Sequence, residues 1–516
     1  MTSTFILGID GCTWRILDAF DLPTFDRIAD DGVTGTLRST YPPITFPAWK
    51  CLSTGKNPGK LGVFGFSNFD RERGENRQND ATHFDSAELW DYVSDEGGRV
   101  GVVNVPTTYP PHDVNGVMVA GPNAETEGFV TPAERESEIL DMGYQPLTSG
   151  HRLSFKNGSD EAVSAATEII ESRFETARQV LDRESFDLFD LTLYCTDTIQ
   201  HYYWMGREMR ELYEVVDREF GALLDQLEAD EEEWNVVVVS DHGFQPIEGA
   251  FYLDSWLEQE GFLVRDEEGM GGSESLKQSL GLTTENAYRI VETLGLEGLI
   301  GRLPDSLVKR TSSELAGGGI TVVDVVDWKQ SDAVFLHGGI FVLDEERREE
   351  IVAELEEAFE SFTDGRAERV IDEVYRREDV YEGAYVEAGP DLIPISDDYK
   401  FLGFSGDGTL FDPDDDWIAG HEMDGLWIAQ GPDFGSTSEV DLTLYDVAPT
   451  LLYANGYAVP EDVDGKVRRD PLSEASKRSR GDPETRLPIS SVHEETLTDQ
   501  DRERMNERLK QLGYVD

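Results

Sequence analysis

The nine residues NVVVVSDHG, 235–243, decide the fold. Four consecutive valines make a run that is apolar on both faces, as a strand buried inside a parallel sheet requires. The run stops at Asp241-His242-Gly243, so polar side chains sit at its carboxyl end. The same pattern recurs outward in both directions. TFILGI (4–9) ends at Asp10-Gly11, and FDLFDLTLYCTD (186–197) ends at Asp197. RVGVVNVP (99–106), GVMVAG (116–121) and residues 33–38 read as further strands. Helical stretches lie between them: 14–32, closed by Gly32, then 85–97, 161–183 and 207–229. Strands alternating with helices predict an α/β fold with a mostly parallel sheet covered on both faces, a three-layer αβα arrangement.

The rhythm breaks twice. Residues 125–160 are irregular, and 262–325 are polar and Gly-rich around a helical middle. The second stretch reads as a cap insertion. The core is expected to resume at DAVFLHGGIFVL (332–343), with a helix at 345–362, the strand LWIAQGP (426–432) and a helix at 443–456. The expected organisation is a discontinuous catalytic core of residues 1–261 and 326–466, the insertion 262–325, and a charged tail 467–516 packed outside.

The chain has 516 residues, with 44 Lys+Arg against 105 Asp+Glu, a formal charge of −61. Hydrophobic residues make up 39%, too many for a disordered acidic protein. Such a charge repels polyphosphate backbones and anionic bilayers, which argues against nucleic-acid and membrane partners. The acid is spread along the whole chain, and lysines are scarce, 11 against 33 arginines. That pattern predicts a halophilic protein kept soluble in concentrated salt, as in a haloarchaeon, the alternative being an acidic face for a basic partner. The three cysteines, Cys12, Cys51 and Cys195, include no CxxC and read as buried packing residues in a reducing compartment. The N-terminus lacks the basic and apolar segments of a signal peptide, and no window approaches a membrane span. A cytoplasmic protein is expected.

In open parallel sheets, ligands bind beyond the carboxyl ends of the strands. Asp10, Asp197, Asp241, His242 and His421 all fall at expected strand ends. His201 follows Asp197 at i+4, on the same face of any helical turn that begins there. Each of these alone reads as a turn residue, a cap or a structural imidazole. Together they are three carboxylates and three imidazoles, a mixed O/N set that suits zinc, manganese or similar ions. YPPITFPAWKCLSTGKNP (41–58) adds a proline-rich turn opening onto a helix, with Thr45 near the helix N-terminus. Free N–H groups and partial positive charge there favour an anionic phosphoryl group. The alternative for Thr45 is a plain N-cap.

These pieces resemble the alkaline phosphatase superfamily, specifically its type I phosphodiesterase/nucleotide pyrophosphatase branch. Within it, the chain is most similar to the prokaryotic phosphohydrolase/phosphomutase group. The matching stretches are ILGIDG (6–11), PPITFPAW (42–49), STGKNPGKLGVFGF (53–66), VNVPTTYPP (103–111), CTDTIQH (195–201), SDHGF (240–244), GHEMDGLWIAQGP (420–432) and LYDVAPTLLYANGYAVPEDVDGK (444–466). They run in the family's order. The resemblance implies an alkaline-phosphatase-like core and two divalent ions, zinc first, manganese or magnesium as alternatives. It implies that Asp197, His201 and His421 hold one ion and Asp10, Asp241 and His242 the other. Thr45 takes the nucleophile position and bridges toward the second ion, and Asn68 is the candidate for holding phosphoryl oxygens. The chain departs from familiar nucleotide pyrophosphatases at Ala48, where those commonly carry Asn.

The activity implied is hydrolysis of phosphodiester or pyrophosphate bonds in a small molecule of nucleotide or nucleotide-sugar type, through a phosphothreonine. A phosphomonoesterase is the nearest alternative. A phosphomutase on the same core normally has a serine nucleophile and a large inserted domain. A sulfatase is disfavoured because C/S-x-P-x-R is absent around Thr45. A non-catalytic acidic binding module would not need every ligand position filled. His337, in FLHGGI, and the aromatic run Tyr202-Tyr203-Trp204 read as structural, while Trp49 and Phe66 are candidates for lining the pocket.

Overall fold

The computed structural model describes residues 2–489 except 72, 85, 123, 125, 148–159, 267–324, 364–368, 406 and 436–438. Nearly all of the 262–325 insertion and residues 490–516 of the tail therefore lie outside the described residues, as does much of the 125–160 stretch.

Nine strands form the main sheet: β1 (Ser3–Ile9), β2 (Val33–Arg38), β3 (Val100–Val103), β4 (Gly116–Val119), β5 (Val130–Thr131), β6 (Leu188–Leu193), β7 (Trp234–Val239), β8 (Asp424–Gln430) and β9 (Glu439–Thr443). Their order is β9-β2-β8-β7-β1-β6-β3-β4-β5. The central strands β7, β1, β6, β3 and β4 are mutually parallel. Every residue of β1, β6 and β7 is buried, as their two-faced apolar sequences require. β8, the LWIAQGP strand, differs from the parallel expectation: it runs antiparallel to both β2 and β7.

Helices α1 (Thr45–Thr54) and α5 (Leu444–Asn455) pack together over the sheet. Another group, α2 (Asp160–Arg183), α3 (Cys195–Tyr203) and α4 (Arg207–Glu228), packs together against it. The result is the three-layer α/β core with a large, mostly parallel sheet that the resemblance implies. The 14–32 stretch is two helices, Trp14–Ala19 and Pro23–Asp31, because a proline interrupts it and opens the second.

A second apolar cluster stands apart from the main core. It joins Phe251, Trp256 and Leu257 to Phe335, Phe341, Leu355 and Phe359. Ala333–Leu336 and Gly339–Val342, where the core was expected to resume, belong to a separate four-stranded antiparallel sheet. The hydrophobic run there is matched by its own hairpin partner, so it needs no place in the larger sheet. The described part of the tail is stitched to the main body. Leu472 is buried against Phe434, and Thr485–Arg486 pairs with Val459–Pro460.

Candidate metal and nucleophile centre

Register brings the site together. β1 and β7 are aligned with Gly8 opposite Val239, so Asp10 and Asp241, each two residues further on, reach the same level. Ile9 lies opposite Leu193 of β6, and α3 starts two residues later with Asp197 in its first turn. Asp197 is therefore helical and not the last residue of a strand. His201 follows on the same face, with Nε2 3.4 Å from Asp197 Oδ1. The antiparallel course of β8 accounts for His421. Because β8 begins beside the carboxyl end of β7, the residues just ahead of it arrive at that same end. His421 lies in Ala419–Glu422, a short strand paired antiparallel with Gly243–Pro246, so it too is not a strand-end residue.

All six predicted ligands converge. His421 Nε2 is 3.1 Å from Asp197 Oδ1. His242 Nε2 is 3.2 Å from Asp241 Oδ2 and 3.6 Å from Asp10 Oδ1. Asp10, Asp241 and His242 form one group whose ligating atoms lie within 4.8 Å of one another, the set expected for the second ion. Asp197, His242 and His421 form another such group, so His242 stands between the two halves where His201 was expected to complete the first. Thr45 opens α1, buried, with Oγ1 3.3 Å from His242 Nε2.

Main-chain carbonyls fix the imidazoles. His201 Nδ1 is 2.9 Å from Ala419 O, His421 Nδ1 is 2.7 Å from Pro43 O, and His242 Nδ1 is 3.1 Å from Gly243 O. An N–H on Nδ1 donating to each carbonyl points every Nε2 into the cluster, the nitrogen that would ligate a metal once it carries no proton.

The residues fit divalent cations on two further grounds. Asp10 Oδ1, Asp241 Oδ2 and His201 Nε2 are buried and carry no hydrogen bond. Buried polar atoms without partners are costly, and a cation removes that cost. The charges agree. Burial, then the Asp241 and Asp197 carboxylates, push Asp10 well above the usual range. Burial pushes Asp241 up to about 8. Asp197 is driven down despite its burial, because His201 and His421 face it. Burial and the neighbouring His421 hold His242 in its neutral form.

Four residues support Asp10 and Asp241 in ways that sequence reasoning did not assign. The Trp49 indole N–H donates to Asp10 Oδ2 at 3.1 Å. Its position, one turn after Thr45 on α1, was the available signal. Thr196 Oγ1 and Gln200 Nε2 both donate to Asp10 O, at 2.8 and 3.1 Å. Gly11, at φ +71, donates its N–H to Asp241 Oδ1, and a Cβ there would strike Gln200 and Phe244. Asn68 lies in the segment that follows α1. Its amide bonds to Gly62 O, the Phe64 N–H and Asn79, so it ties the 62–79 loop together and none of its hydrogen bonds reaches the cluster. The three cysteines are free and buried, as expected.

The sequence profile described as Type I phosphodiesterase / nucleotide pyrophosphatase matches residues 4–422. No curated protein sequence matches the chain. Among solved structures, it is similar to phosphonoacetate hydrolase from Sinorhizobium meliloti in complex with phosphonoformate, at 17% identity and TM-score 0.58, covering 88% of this chain and 95% of that one. It is also similar to murine ectonucleotide pyrophosphatase / phosphodiesterase 5, at 14% identity and TM-score 0.53, covering 92% and 100%. An inactive variant of that murine protein, solved with AMP, matches at 13% identity and TM-score 0.53 over the same shares. At these identities the likeness establishes the fold. Among the described residues, no helix is long and apolar enough to cross a membrane.

Proposed function

Because the chain belongs to the type I phosphodiesterase / nucleotide pyrophosphatase family of metal-dependent hydrolases, we propose that it cleaves phosphodiester or pyrophosphate bonds in a small molecule of nucleotide or nucleotide-sugar type, with Thr45 as nucleophile. The observation that carries this reading is the Thr45 hydroxyl, buried at a helix N-terminus and 3.3 Å from an imidazole of the Asp/His cluster. Asp197, His201 and His421 would hold one divalent ion, and Asp10, Asp241 and His242 the other, with Thr45 facing the second. When bound, such ions lower the pKa of a nearby hydroxyl and stabilise the entering and leaving oxygens of an in-line displacement.

The chain's own part follows from its geometry. α1 opens without a side-chain cap, so its first free N–H groups can receive phosphoryl oxygens. Pro47, in the first turn, has no N–H to leave unsatisfied. Thr45 Oγ bonds to phosphorus as the bond to the leaving oxygen breaks, and the hydroxyl proton passes through water to that leaving oxygen. Water then attacks the phosphothreonine, releases the phosphate product and returns the hydroxyl. Trp49 holds Asp10 in place throughout.

The test is turnover of bis-p-nitrophenyl phosphate and p-nitrophenyl phosphate in molar salt with Zn²⁺ or Mn²⁺, with metal content measured alongside. Diester turnover by wild type and none by Thr45→Ala is the expected result. Faster turnover of the monoester would favour a phosphomonoesterase. Absent turnover together with absent metal would leave a binding module on the same fold.

A further inference from the structure

His201 is gripped by three consecutive residues. The Trp417 indole lies face-on over its imidazole, ring centroids 3.4 Å apart and planes 18° from parallel. The Ile418 N–H donates to the His201 carbonyl at 2.9 Å. Ala419 O takes the Nδ1 hydrogen bond at 2.9 Å. Two residues later the same segment presents His421. On another side, the edge of Phe244 meets the His201 ring at 4.8 Å.

Trp417 is itself held. Its backbone N–H donates to Asp415 Oδ1 at 2.8 Å, and Lys400 pairs with that same oxygen at 2.6 Å. The Lys400 ammonium also lies 4.2 Å from the indole centroid, a cation over a π-face. Lys400 comes from the strand Tyr399–Leu402, outside the main sheet. A side chain from a separate three-stranded sheet thus bears on an indole that bears on a ligand of the main site.

An imidazole on a helix can ligate only while its ring holds one torsion. Rotation would swing Nε2 away from Asp197 and break the Ala419 bond. We propose that Trp417 is a positioning residue: it clamps His201 with Nε2 directed at Asp197 and so retains the cation on the Asp197–His201–His421 side, while Lys400 holds the clamp closed. This inference rests on the metal reading above and adds to it a residue that is no ligand.

The test uses the full-length protein and zinc. Bound zinc per chain and its release to a chromophoric chelator are followed for wild type, Trp417→Phe, Trp417→Leu and Lys400→Gln, with melting of each metal-free protein recorded in parallel. Wild type should hold two zinc ions. Trp417→Leu should release one of them about 10–100-fold faster, the size expected on losing an outer-shell partner, and the other at the wild-type rate. Trp417→Phe keeps a stacking face and should restore most of the retention. Lys400→Gln leaves the indole in place and should speed the same release less. A general loss of structure would instead lower the metal-free melting temperature and speed both releases together, which overturns the clamp. So does release of both ions at the wild-type rate from Trp417→Leu. Wild type that binds no zinc overturns the metal reading, and the clamp falls with it.

Discussion

The Trp49 indole N–H reaches Asp10 Oδ2 at 3.1 Å from a position one helical turn beyond Thr45. The same ring fills the space above Gly8, where a Cβ would come within 2.6 Å of it. Hydroxyl-bearing helix and carboxylate-bearing strand are thereby fixed to each other through one side chain.

Trp49→Phe keeps an aromatic ring but removes the donor. Asp10 then loses the bond that orients it, and zinc affinity at the Asp10–Asp241–His242 side should fall about 10–100-fold. Calorimetric titration of metal-free protein measures this. Wild-type affinity in the variant would remove Trp49 from the site.

Lys50 and Glu88 form an ion pair at 2.9 Å with 0% and 1% side-chain exposure. It joins α1 to the residue that caps the helix Leu89–Asp95. Lys50→Met leaves the Glu88 carboxyl buried without its partner and should destabilise the fold by about 3–5 kcal/mol. Adding Glu88→Gln should return most of that, since no charge is then stranded. Denaturant melts of the single and double variants decide it, and a Lys50→Met loss under about 1 kcal/mol would mean the pair is dispensable.

Asp190 lies inside β6, and burial pushes its carboxyl up to about 7. An unfolded Asp titrates near 4, so between about pH 4 and pH 7 the folded chain keeps a proton that the unfolded chain has lost. Stability should therefore fall as pH rises through that window, by up to about 1.4 kcal/mol per unit, and flatten above it. Asp190→Asn should lose this slope relative to wild type and be the more stable protein at pH 8. Identical slopes in paired melts from pH 4 to 8 would contradict it.

The net charge of −61 sets a salt dependence. Screening shortens the reach of charge from about 10 Å at 0.1 M salt to about 3 Å at 1 M. Most ion pairs on the surface are exposed and contribute little on their own. Relief of self-repulsion should win, and the melting temperature should climb steeply with NaCl up to about 1 M. A melting temperature that is flat or falling across that range would refute this.

What was legible in the sequence was what depends on local pattern. The valine run 236–239 and TFILGI announced central strands because burial on both faces leaves no polar alternation. Asp197 and His201 were readable as a pair because i and i+4 share a helix face. The direction of β8 was not, since a short apolar run has the same composition whichever way it points. Nor was the second core, because its hairpin strands are as apolar as those of the main sheet. The loop-bracing bonds of Asn68 were not legible for a related reason, since only the fold brings Gly62 O and the Phe64 N–H to its amide. Trp417 was passed over because nothing nearby in sequence marks the ring it covers, 216 positions upstream at His201.

The three carbonyls that hold the imidazoles belong to Pro43, Gly243 and Ala419, and each is main chain. A main-chain oxygen does not depend on the side chain its residue carries, except at Gly243, where a Cβ would meet Asp424 O at 2.1 Å and push the backbone aside. The proton arrangement of the centre is thus inherited with the path of the backbone. A one-residue insertion or deletion in any of those three segments would turn a carbonyl away and free a ring to spin.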